Sequence, residues 1–216
     1  MDISRKEIKE IARKTILAES EAVSKLTAFV NDDFASCVEM IFRASGRLVV
    51  TGIGKSAIIG EKIVASLNST GTPAIFMHAA DAVHGDLGII QKGDIVLCIS
   101  KSGNTPEIKV LIPYLKLAGN ALIAMVGNRD SYLARQADLV IETTVAKEAC
   151  PNNLAPTSST TAQMVMGDAI MAALLKYRDF SPDDFAMFHP GGALGKKLYL
   201  RVGDLYVNNE RPAVNL

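Results

Sequence analysis

The sequence has few cysteines and no excess of charge of either sign. Its three cysteines, Cys37, Cys98 and Cys150, are scattered over 216 residues. They are too few for the disulfide framework of a small secreted protein, so we expect a reducing compartment. The 23 basic residues are matched by 23 acidic ones. A general nucleic-acid-binding protein would carry a basic surplus, and we therefore expect no nucleic-acid partner.

Long apolar segments are also missing. The sequence contains no run of about 18 apolar residues, the length needed to span a bilayer. Charged residues interrupt the apolar positions of residues 1–14, so this segment lacks the apolar core of a signal peptide. The sequence therefore predicts a cytoplasmic protein without a membrane partner. Its 49% hydrophobic residues are enough for one folded domain and exclude intrinsic disorder.

From residue 47 onward, short apolar runs alternate with longer helical stretches. The runs lie at residues 48–50, 74–77, 95–99, 121–126 and 139–141, and the predicted helices at about 55–69, 106–117, 131–137 and 158–177. Unbroken apolar strands are typical of a parallel sheet covered on both faces. The sequence predicts an α/β fold, a doubly wound parallel five-stranded sheet with ligands at the carboxyl ends of its strands.

Residues 1–45 predict a helical arm, which we assign to the same domain as the sandwich at residues 46–207. Apolar residues recur in it at helical spacing between charges. Asn31-Asp32-Asp33 is typical of a break followed by the N-cap of a second helix. Such an arm can pack on its own domain or on a second subunit. Residues 208–216 are polar and are predicted to form a tail.

A glycine-containing loop, Thr51-Gly-Ile-Gly-Lys-Ser56, follows the first predicted strand. It is not a Walker A loop, because Val49 stands where that motif requires its first glycine. It matches the loose dinucleotide-binding pattern, but the second strand ends at Met77-His78 without an acidic residue to hold a ribose. A nicotinamide cofactor is therefore not expected.

A second loop carries three hydroxyl groups around a glycine. Ser100, Ser102 and Thr105 surround Gly103 and precede a helix predicted to begin at Pro106. Hydroxyls and the free N–H groups of a helix N-terminus together bind anions, and phosphate above all. The alternative is an N-capped turn, for which Thr105 alone would be enough.

Hydroxyl residues also fill positions 157–161, at the start of the last long predicted helix. They indicate either an anion-binding nest or a capped helix start. Glu148 lies just upstream, and repulsion and desolvation beside a phosphate-binding loop would raise the pKa of its carboxyl group towards that of a useful base. A solvated loop glutamate is the equally weighted alternative.

The histidines and cysteines do not have the spacing of metal ligands. The sequence contains no His-x-x-x-His motif among His78, His84 and His189, and no Cys-x-x-Cys motif among its cysteines. His84 and His189 lie in turn-forming contexts where an imidazole is easily presented to a ligand. No metal site is predicted.

Several of these motifs, taken together, resemble the arabinose 5-phosphate isomerase branch of the sugar isomerase (SIS) family. They are Gly52-Ile-Gly-Lys-Ser56, His84-Gly-Asp86, Ile99-Ser-Lys-Ser-Gly-Asn-Thr105, Val145-Ala-Lys-Glu-Ala-Cys-Pro151, Ala155-Pro-Thr-Ser-Ser-Thr-Thr161 and His189-Pro-Gly-Gly-Ala-Leu-Gly195. The resemblance extends over about residues 10–207. Typical members continue into two cystathionine-β-synthase-type domains, whereas this sequence ends soon after Arg201-Val-Gly-Asp-Leu205. The resemblance therefore predicts a form without that pair.

The resemblance implies a reaction without cofactor or metal. It is the interconversion of D-ribulose 5-phosphate and D-arabinose 5-phosphate through a cis-enediol, the first step towards the Kdo of lipopolysaccharide. Another sugar-phosphate isomerase is one alternative. A non-catalytic SIS module that senses sugar phosphates is a second one. Such regulators usually carry a helix-turn-helix domain, and residues 1–45 show no basic DNA-reading helix.

The resemblance also implies roles for particular residues. The catalytic candidates are Lys55, Glu107, Glu148 and His189, with His84 nearby. The substrate-binding candidates are Gly54, Ser56, Ser100, Ser102, Thr105, Ser158, Ser159 and Thr160. We assign Glu148 as the C1/C2 base, His189 as the proton shuttle or ring-opening group, and Lys55 as the stabiliser of the enediolate. Glu107 has a structural alternative, because an acid in the first turn of a helix is favourable in itself. A homo-oligomer, specifically a tetramer, is expected, with the N-terminal arm and the His189 segment supplied by a neighbouring chain.

Overall fold

The computed structural model describes residues 3–192, and these residues form one α/β sandwich. The strands are β1 (Leu48–Gly52), β2 (Ala74–His78), β3 (Ile95–Ser100), β4 (Ala121–Val126) and β5 (Leu139–Glu142). The helices are α1 (Arg5–Lys25), α2 (Asp32–Arg43), α3 (Lys55–Ser69), α4 (Ala79–Ala82), α5 (Pro106–Ala118), α6 (Tyr132–Gln136), α7 (Ser158–Tyr177) and α8 (Pro182–Phe188). The predicted tail at residues 208–216 lies outside the described residues.

The sheet has five strands, all parallel, in the order β2-β1-β3-β4-β5. This confirms the predicted doubly wound α/β fold. The first strand is longer than its apolar run, because Thr51 and Gly52 continue the pairing with both β2 and β3. The order reverses between β1 and β3, and in open α/β sheets such a switch point forms a crevice at the carboxyl ends of the strands.

Two hydrophobic layers enclose the sheet, which explains why the strand sequences do not alternate in polarity. Val50, Leu97 and Met125 pack in the layer beneath α2, α3 and α7. Val49, Val96 and Leu122 pack on the opposite face, beneath α5 and α6. Successive residues of a strand point to opposite faces. Both faces are buried here, so the central strands are apolar up to their carboxyl ends, where Thr51 and Ser100 lie.

Helices α3 and α7 pack closely on the first of these layers. A Cβ atom on Gly167 would lie 2.4 Å from Cγ1 of Ile63, so only glycine permits this approach of the two helices. The same helices are joined at their surface by an ion pair between Lys62 and Asp168. The contact fixes the N-terminus of α7 beside that of α3, at the carboxyl edge of the sheet.

The N-terminal arm consists of α1 and α2, separated by a short 3-10 turn at Leu26–Phe29. The predicted break is confirmed, because Asn31 Oδ1 accepts a hydrogen bond from the amide of Phe34 and caps α2. Helix α1 lies against α7, where the Thr161 hydroxyl donates to Glu19 Oε2 at 3.0 Å. No residue of α1 is fully buried. None of the helices in the described part of the chain is long and apolar enough to cross a membrane.

Candidate active site

A polar cavity of about 200 Å³ lies at the switch point, where the loops after β1 and β3 meet the start of α7. The residues that line it are Ile53, Lys55, Ser56, Ile99, Ser100, Lys101, Ser102, Thr105, Pro156, Ser159 and Thr160. They come from the loops that the sequence singled out for their glycine and hydroxyl residues. Its volume lies below the roughly 300–1,000 Å³ of pockets for drug-sized ligands, so it suits a small polar molecule or group.

Positive charge converges on this cavity. Helices α3, α5 and α7 all begin at the carboxyl edge, so the positive ends of three helix dipoles are directed at it. Two lysines, Lys55 and Lys101, line the same space. Hydroxyl groups supply the remaining polar lining, and the combination suits an anionic ligand such as a phosphate ester.

The loop from Ser100 to Thr105 is held by its own hydroxyl groups. Ser100 is buried; its Oγ accepts from the amide of Gly103 at 3.1 Å and lies 3.1 Å from Oγ1 of Thr105. Thr105 makes no side-chain hydrogen bond that caps α5. The alternative interpretation of these hydroxyls as a simple N-cap is therefore wrong. Ser102 remains exposed on the cavity wall.

The first loop presents its side chains to the cavity from the start of α3. Gly54 is the N-cap residue of α3 and has a φ of +59°, a conformation that residues with a Cβ rarely adopt. Ser56 donates its hydroxyl to Oε1 of the buried Gln163 at 3.1 Å. This bond across α3 and α7 fixes the direction of Ser56 at the cavity wall.

Glu148 is almost completely buried, with 2% of its surface exposed. Its Oε1 accepts from Lys101 Nζ and from the Ser159 hydroxyl, both at 2.5 Å. Its Oε2 accepts from the amide of Thr157 at 2.8 Å, and from the Thr157 hydroxyl and the Ser159 amide at 3.2 Å each. The anion held at the N-terminus of α7 is thus the protein's own carboxylate.

These contacts determine the charge of Glu148. Burial alone raises the pKa of the carboxyl group, but the hydrogen bonds from Lys101, Ser159 and Thr157 outweigh it and hold the pKa at about 2. The expectation of a raised pKa is therefore wrong, and so is the alternative of a solvated loop glutamate. The sequence did not reveal that Lys101, 47 residues upstream, faces this carboxylate.

The acidic and basic candidates lie at different distances from the cavity. Lys55 lines it directly. Glu148 is one hydrogen bond away, through Ser159 and Lys101, which do line it. Glu107 is half-buried in the first turn of α5, two residues beyond the cavity wall.

The two histidine candidates do not line the cavity of this chain. His84 is exposed in the loop that follows α4. His189 follows α8; its Nδ1 lies 2.8 Å from the carbonyl oxygen of Phe185, and its ring stacks on that of Phe185. Helix α8 packs near Gly71, at the turn into β2 and hence at the amino edge of the sheet. A role for His189 at the cavity would require a second chain.

Most of the substrate-binding candidates lie on the cavity wall. Those that line it are Ser56, Ser100, Ser102, Thr105, Ser159 and Thr160. Gly54 and Ser158 are adjacent to lining residues but do not line the cavity themselves. The Ser158 hydroxyl is buried and has no hydrogen-bond partner within residues 3–192. Lys101 is the charged cavity-lining residue that the sequence did not single out, although it stands between two predicted ones.

The metal-binding potential of the site is low in the described region. Residues 3–192 contain no group of three or more His, Cys, Asp or Glu side chains close enough to hold an ion. The cavity wall instead carries lysines and hydroxyls, which are ligands for anions rather than cations.

The fold and the cavity together define an α/β sandwich whose sheet carries, at its switch point, a cavity lined by lysines and hydroxyl groups. The family model described as the SIS domain matches residues 40–173, and the chain belongs to that family. The matched residues include all of the residues that line the cavity, from the loop after β1 to the start of α7.

Known proteins of this family include close relatives of the chain. It is 50% identical to arabinose 5-phosphate isomerase KdsD of Pseudomonas aeruginosa over 95% of the chain. It is also 50% identical to the KdsD of Escherichia coli K12 over 94% of the chain. The chain spans 62–63% of the length of these two curated relatives. The resemblance to arabinose 5-phosphate isomerases that the motifs indicated is thereby confirmed.

A solved structure matches over nearly the whole described fold. A protein of Escherichia coli CFT073 in complex with arabinose 5-phosphate superposes with a TM-score of 0.84 and 38% sequence identity. The match covers 87% of this chain and all of the other one.

Proposed function

We propose that this chain interconverts D-arabinose 5-phosphate and D-ribulose 5-phosphate. The observation that carries the proposal is 50% identity, over 94–95% of the chain, to two curated isomerases of that name. The anion cavity at the switch point supports it independently, because a sugar phosphate requires a site for its phosphate group. The reaction needs no redox partner, since a proton moves between C1 and C2 while the carbon skeleton is kept.

The phosphate is held by the loop around Gly103 and by the starts of α3 and α7. Ser102 and Thr105 donate hydroxyl hydrogen bonds from one wall. Ser56 and Thr160 line the other walls and donate their own hydroxyls to Gln163 and to the Thr157 carbonyl oxygen. The positive ends of the helix dipoles of α3 and α5 strengthen these interactions with the phosphate oxygens. Because the phosphate is anchored at one end, only a carbon chain of the right length places its C1 and C2 atoms beside the catalytic groups.

Proton transfer requires a carboxylate and a donor for the enediolate oxygen. Glu148 is the base in this proposal and is ionised at neutral pH, the state that proton abstraction needs. Lys55 stabilises the negative charge that develops on the oxygen. Glu107 is the second candidate for the base, because it is half-buried next to the cavity wall.

A second copy of the chain completes the site. His189 lies away from the cavity of its own chain, so the proton-shuttle role assigned to it is carried out across a subunit contact. Helix α1 leaves Ile8, Ile11 and Leu17 exposed, and such apolar surface favours contact with another subunit. A tetramer is the assembly that we propose.

The cellular role follows from the substrate. A cytoplasmic enzyme making arabinose 5-phosphate would supply the first step towards Kdo. Residues 46–207 would form the catalytic domain, with the arm at residues 1–45 as part of it.

The test is a coupled assay across phosphorylated pentoses and hexoses. We expect turnover with D-arabinose 5-phosphate and D-ribulose 5-phosphate, and at least about 10²-fold lower kcat/KM with hexulose 6-phosphates. Faster turnover of a hexulose 6-phosphate would replace the proposed substrate with a longer one. Binding of sugar phosphates without any turnover would replace the enzyme with a sensor module.

A further inference from the structure

Lys101 stands between the cavity and the buried carboxylate of Glu148. Its side chain lines the cavity and is 50% exposed, while its Nζ lies 2.5 Å from Glu148 Oε1. One ammonium group therefore faces both the carboxylate and the interior of the cavity. An ammonium group has three N–H donors, so it can bridge the carboxylate and an anion in the cavity or turn from one to the other, and the two arrangements affect Glu148 differently.

We infer that Lys101 is a positioning residue that exchanges between these two anions. In the empty site its ammonium group holds Oε1 of Glu148. When a sugar phosphate binds, the ammonium group turns to the phosphate and leaves Glu148. This inference rests on the proposed function in one respect only, namely that the cavity is the phosphate site.

The surroundings of Glu148 allow it to remain in place without Lys101. Its other four hydrogen bonds come from the backbone and hydroxyl groups of Thr157 and Ser159, at the start of a 20-residue helix. These donors are fixed by the fold. The lysine side chain is long, flexible and half-exposed, so it is the partner that can move.

The exchange has a chemical consequence for the base. An ammonium group in contact with a carboxylate stabilises its charged form and opposes the uptake of a proton. If the contact is lost on binding, Glu148 becomes more basic in the complex than in the free protein. The base would then be activated when the substrate is present, and a strongly hydrogen-bonded glutamate could serve in proton abstraction.

A permanent ion pair is the competing explanation. In that case Lys101 only stabilises the buried charge of Glu148, and a bound phosphate leaves the contact unchanged. The two explanations differ in thermodynamic coupling. If a bound phosphate weakens the contact between Lys101 and Glu148, then that contact must weaken phosphate binding by the same factor.

A necessary condition for the exchange is tested by a mutant cycle on the binding of inorganic phosphate, measured by titration calorimetry. The proteins are the wild type, Glu148→Gln, Lys101→Met and the double variant. Lys92→Met serves as the control, since Lys92 is exposed in the turn at the amino end of β3 and should leave phosphate affinity unchanged. We expect Glu148→Gln to tighten phosphate binding. The gain in affinity should be at least about fivefold larger with Lys101 present than with Met at position 101. An equal or larger effect in the Lys101→Met background would show only charge repulsion and overturn the exchange.

Crystal structures of the wild type with and without inorganic phosphate give a second measurement that depends on no variant. We expect Nζ of Lys101 within about 3 Å of a phosphate oxygen and beyond about 4 Å from Glu148 Oε1 in the bound structure. Phosphate bound with the Lys101–Glu148 contact intact overturns the exchange but leaves the proposed function standing. No phosphate binding to the wild type overturns both, because the cavity is then not the phosphate site.

Discussion

A Cβ atom on Gly103 would lie 2.1 Å from Oγ of Ser131. Ser131 is buried and caps α6 by accepting from the amide of Ala134, so it cannot give way. The Gly103 carbonyl accepts in turn from the amide of Leu133 at 3.0 Å. The loop that forms one wall of the cavity is therefore held in shape by α6, a helix that contributes no lining residue itself.

This contact predicts the effect of a methyl group at position 103. Gly103 has a φ of +60°, so Gly103→Ala adds backbone strain to the clash with Ser131. We expect the free energy of unfolding to fall by about 1–3 kcal/mol. Phosphate affinity should also fall, because the Ser100 to Thr105 loop must shift. Gly88→Ala is the control, since a Cβ there meets no atom within 4 Å. Equal urea midpoints for the two variants would refute this account of the loop.

The fold was predictable because its strands and helices are separated by clear changes in hydrophobic pattern. The predicted helix at 158–177 coincides with α7, and the predicted strand at 121–126 coincides with β4. The missed ends, such as Thr51 and Gly52 of β1, carry no apolar side chain, and only pairing with neighbouring strands extends the strand through them. Apolar periodicity therefore located the elements, and the hydrogen-bond ladder determined where they end.

The candidate site was predictable only as far as it is built from local motifs. The hydroxyl loops come together because both lie at the carboxyl edge of a parallel sheet, which the fold class already implies. The state of Glu148 was predicted with the wrong sign, because its pKa depends on Lys101, a contact between residues far apart in sequence. Nor did the motif around His189 indicate that α8 packs at the opposite edge of the sheet from the cavity.

Loss of the Ser102 hydroxyl tests the phosphate loop. The side chain is exposed on the cavity wall, and its removal leaves no buried group unpaired. Ser102→Ala should raise KM for the sugar phosphate roughly tenfold or more with little change in kcat, since a hydrogen bond to a charged group contributes about 1.5–3 kcal/mol. In Ser69→Ala, where the hydroxyl bonds only the Ser66 carbonyl at the far end of α3, KM should stay unchanged. An unaltered KM in Ser102→Ala would remove this loop from the site.

Acid should destabilise the protein through Glu148. Its pKa is lowered from an ordinary 4.5 to about 2 on folding. The stabilisation is therefore complete well above pH 4.5 and is lost as the pH falls towards 2. Allowing for solvent around Lys101, we expect the wild type to lose about 1–2 kcal/mol more than Glu148→Gln between pH 6 and pH 3. Urea titrations at several pH values measure this. Parallel curves for the two proteins would mean that Glu148 is not specifically stabilised in its charged form.

Activity should persist when metal ions are removed. The cavity lining consists of hydroxyls, lysines and apolar residues, and a proton transfer through an enediol needs no Lewis acid from the residues that line it. Dialysis against a strong chelator should leave kcat within about twofold of its starting value, a change too small to represent loss of a catalytic group. Complete inactivation, reversed by one divalent ion, would require a different mechanism.

The identity of the base is tested by isotope exchange. Glu148→Gln keeps the size and one acceptor oxygen of the side chain but removes the charge, so turnover should fall by at least about 10²-fold. The variant should also be less stable, because the five hydrogen-bond donors around the carboxylate lose their charged acceptor. Its rates are therefore measured at a temperature where circular dichroism shows the folded state.

Glu107→Gln is the matched control for that experiment. The wild type in heavy water should incorporate solvent deuterium at the carbon that takes up a proton from the enediolate stage, C1 of the ketose or C2 of the aldose. We expect Glu148→Gln to bind the sugar phosphate and fail to exchange, whereas Glu107→Gln continues to exchange at a reduced rate. The opposite pattern, normal exchange in Glu148→Gln and none in Glu107→Gln, would make Glu107 the base. Glu148 would then be a structural carboxylate that caps α7 and holds Lys101 at the cavity wall.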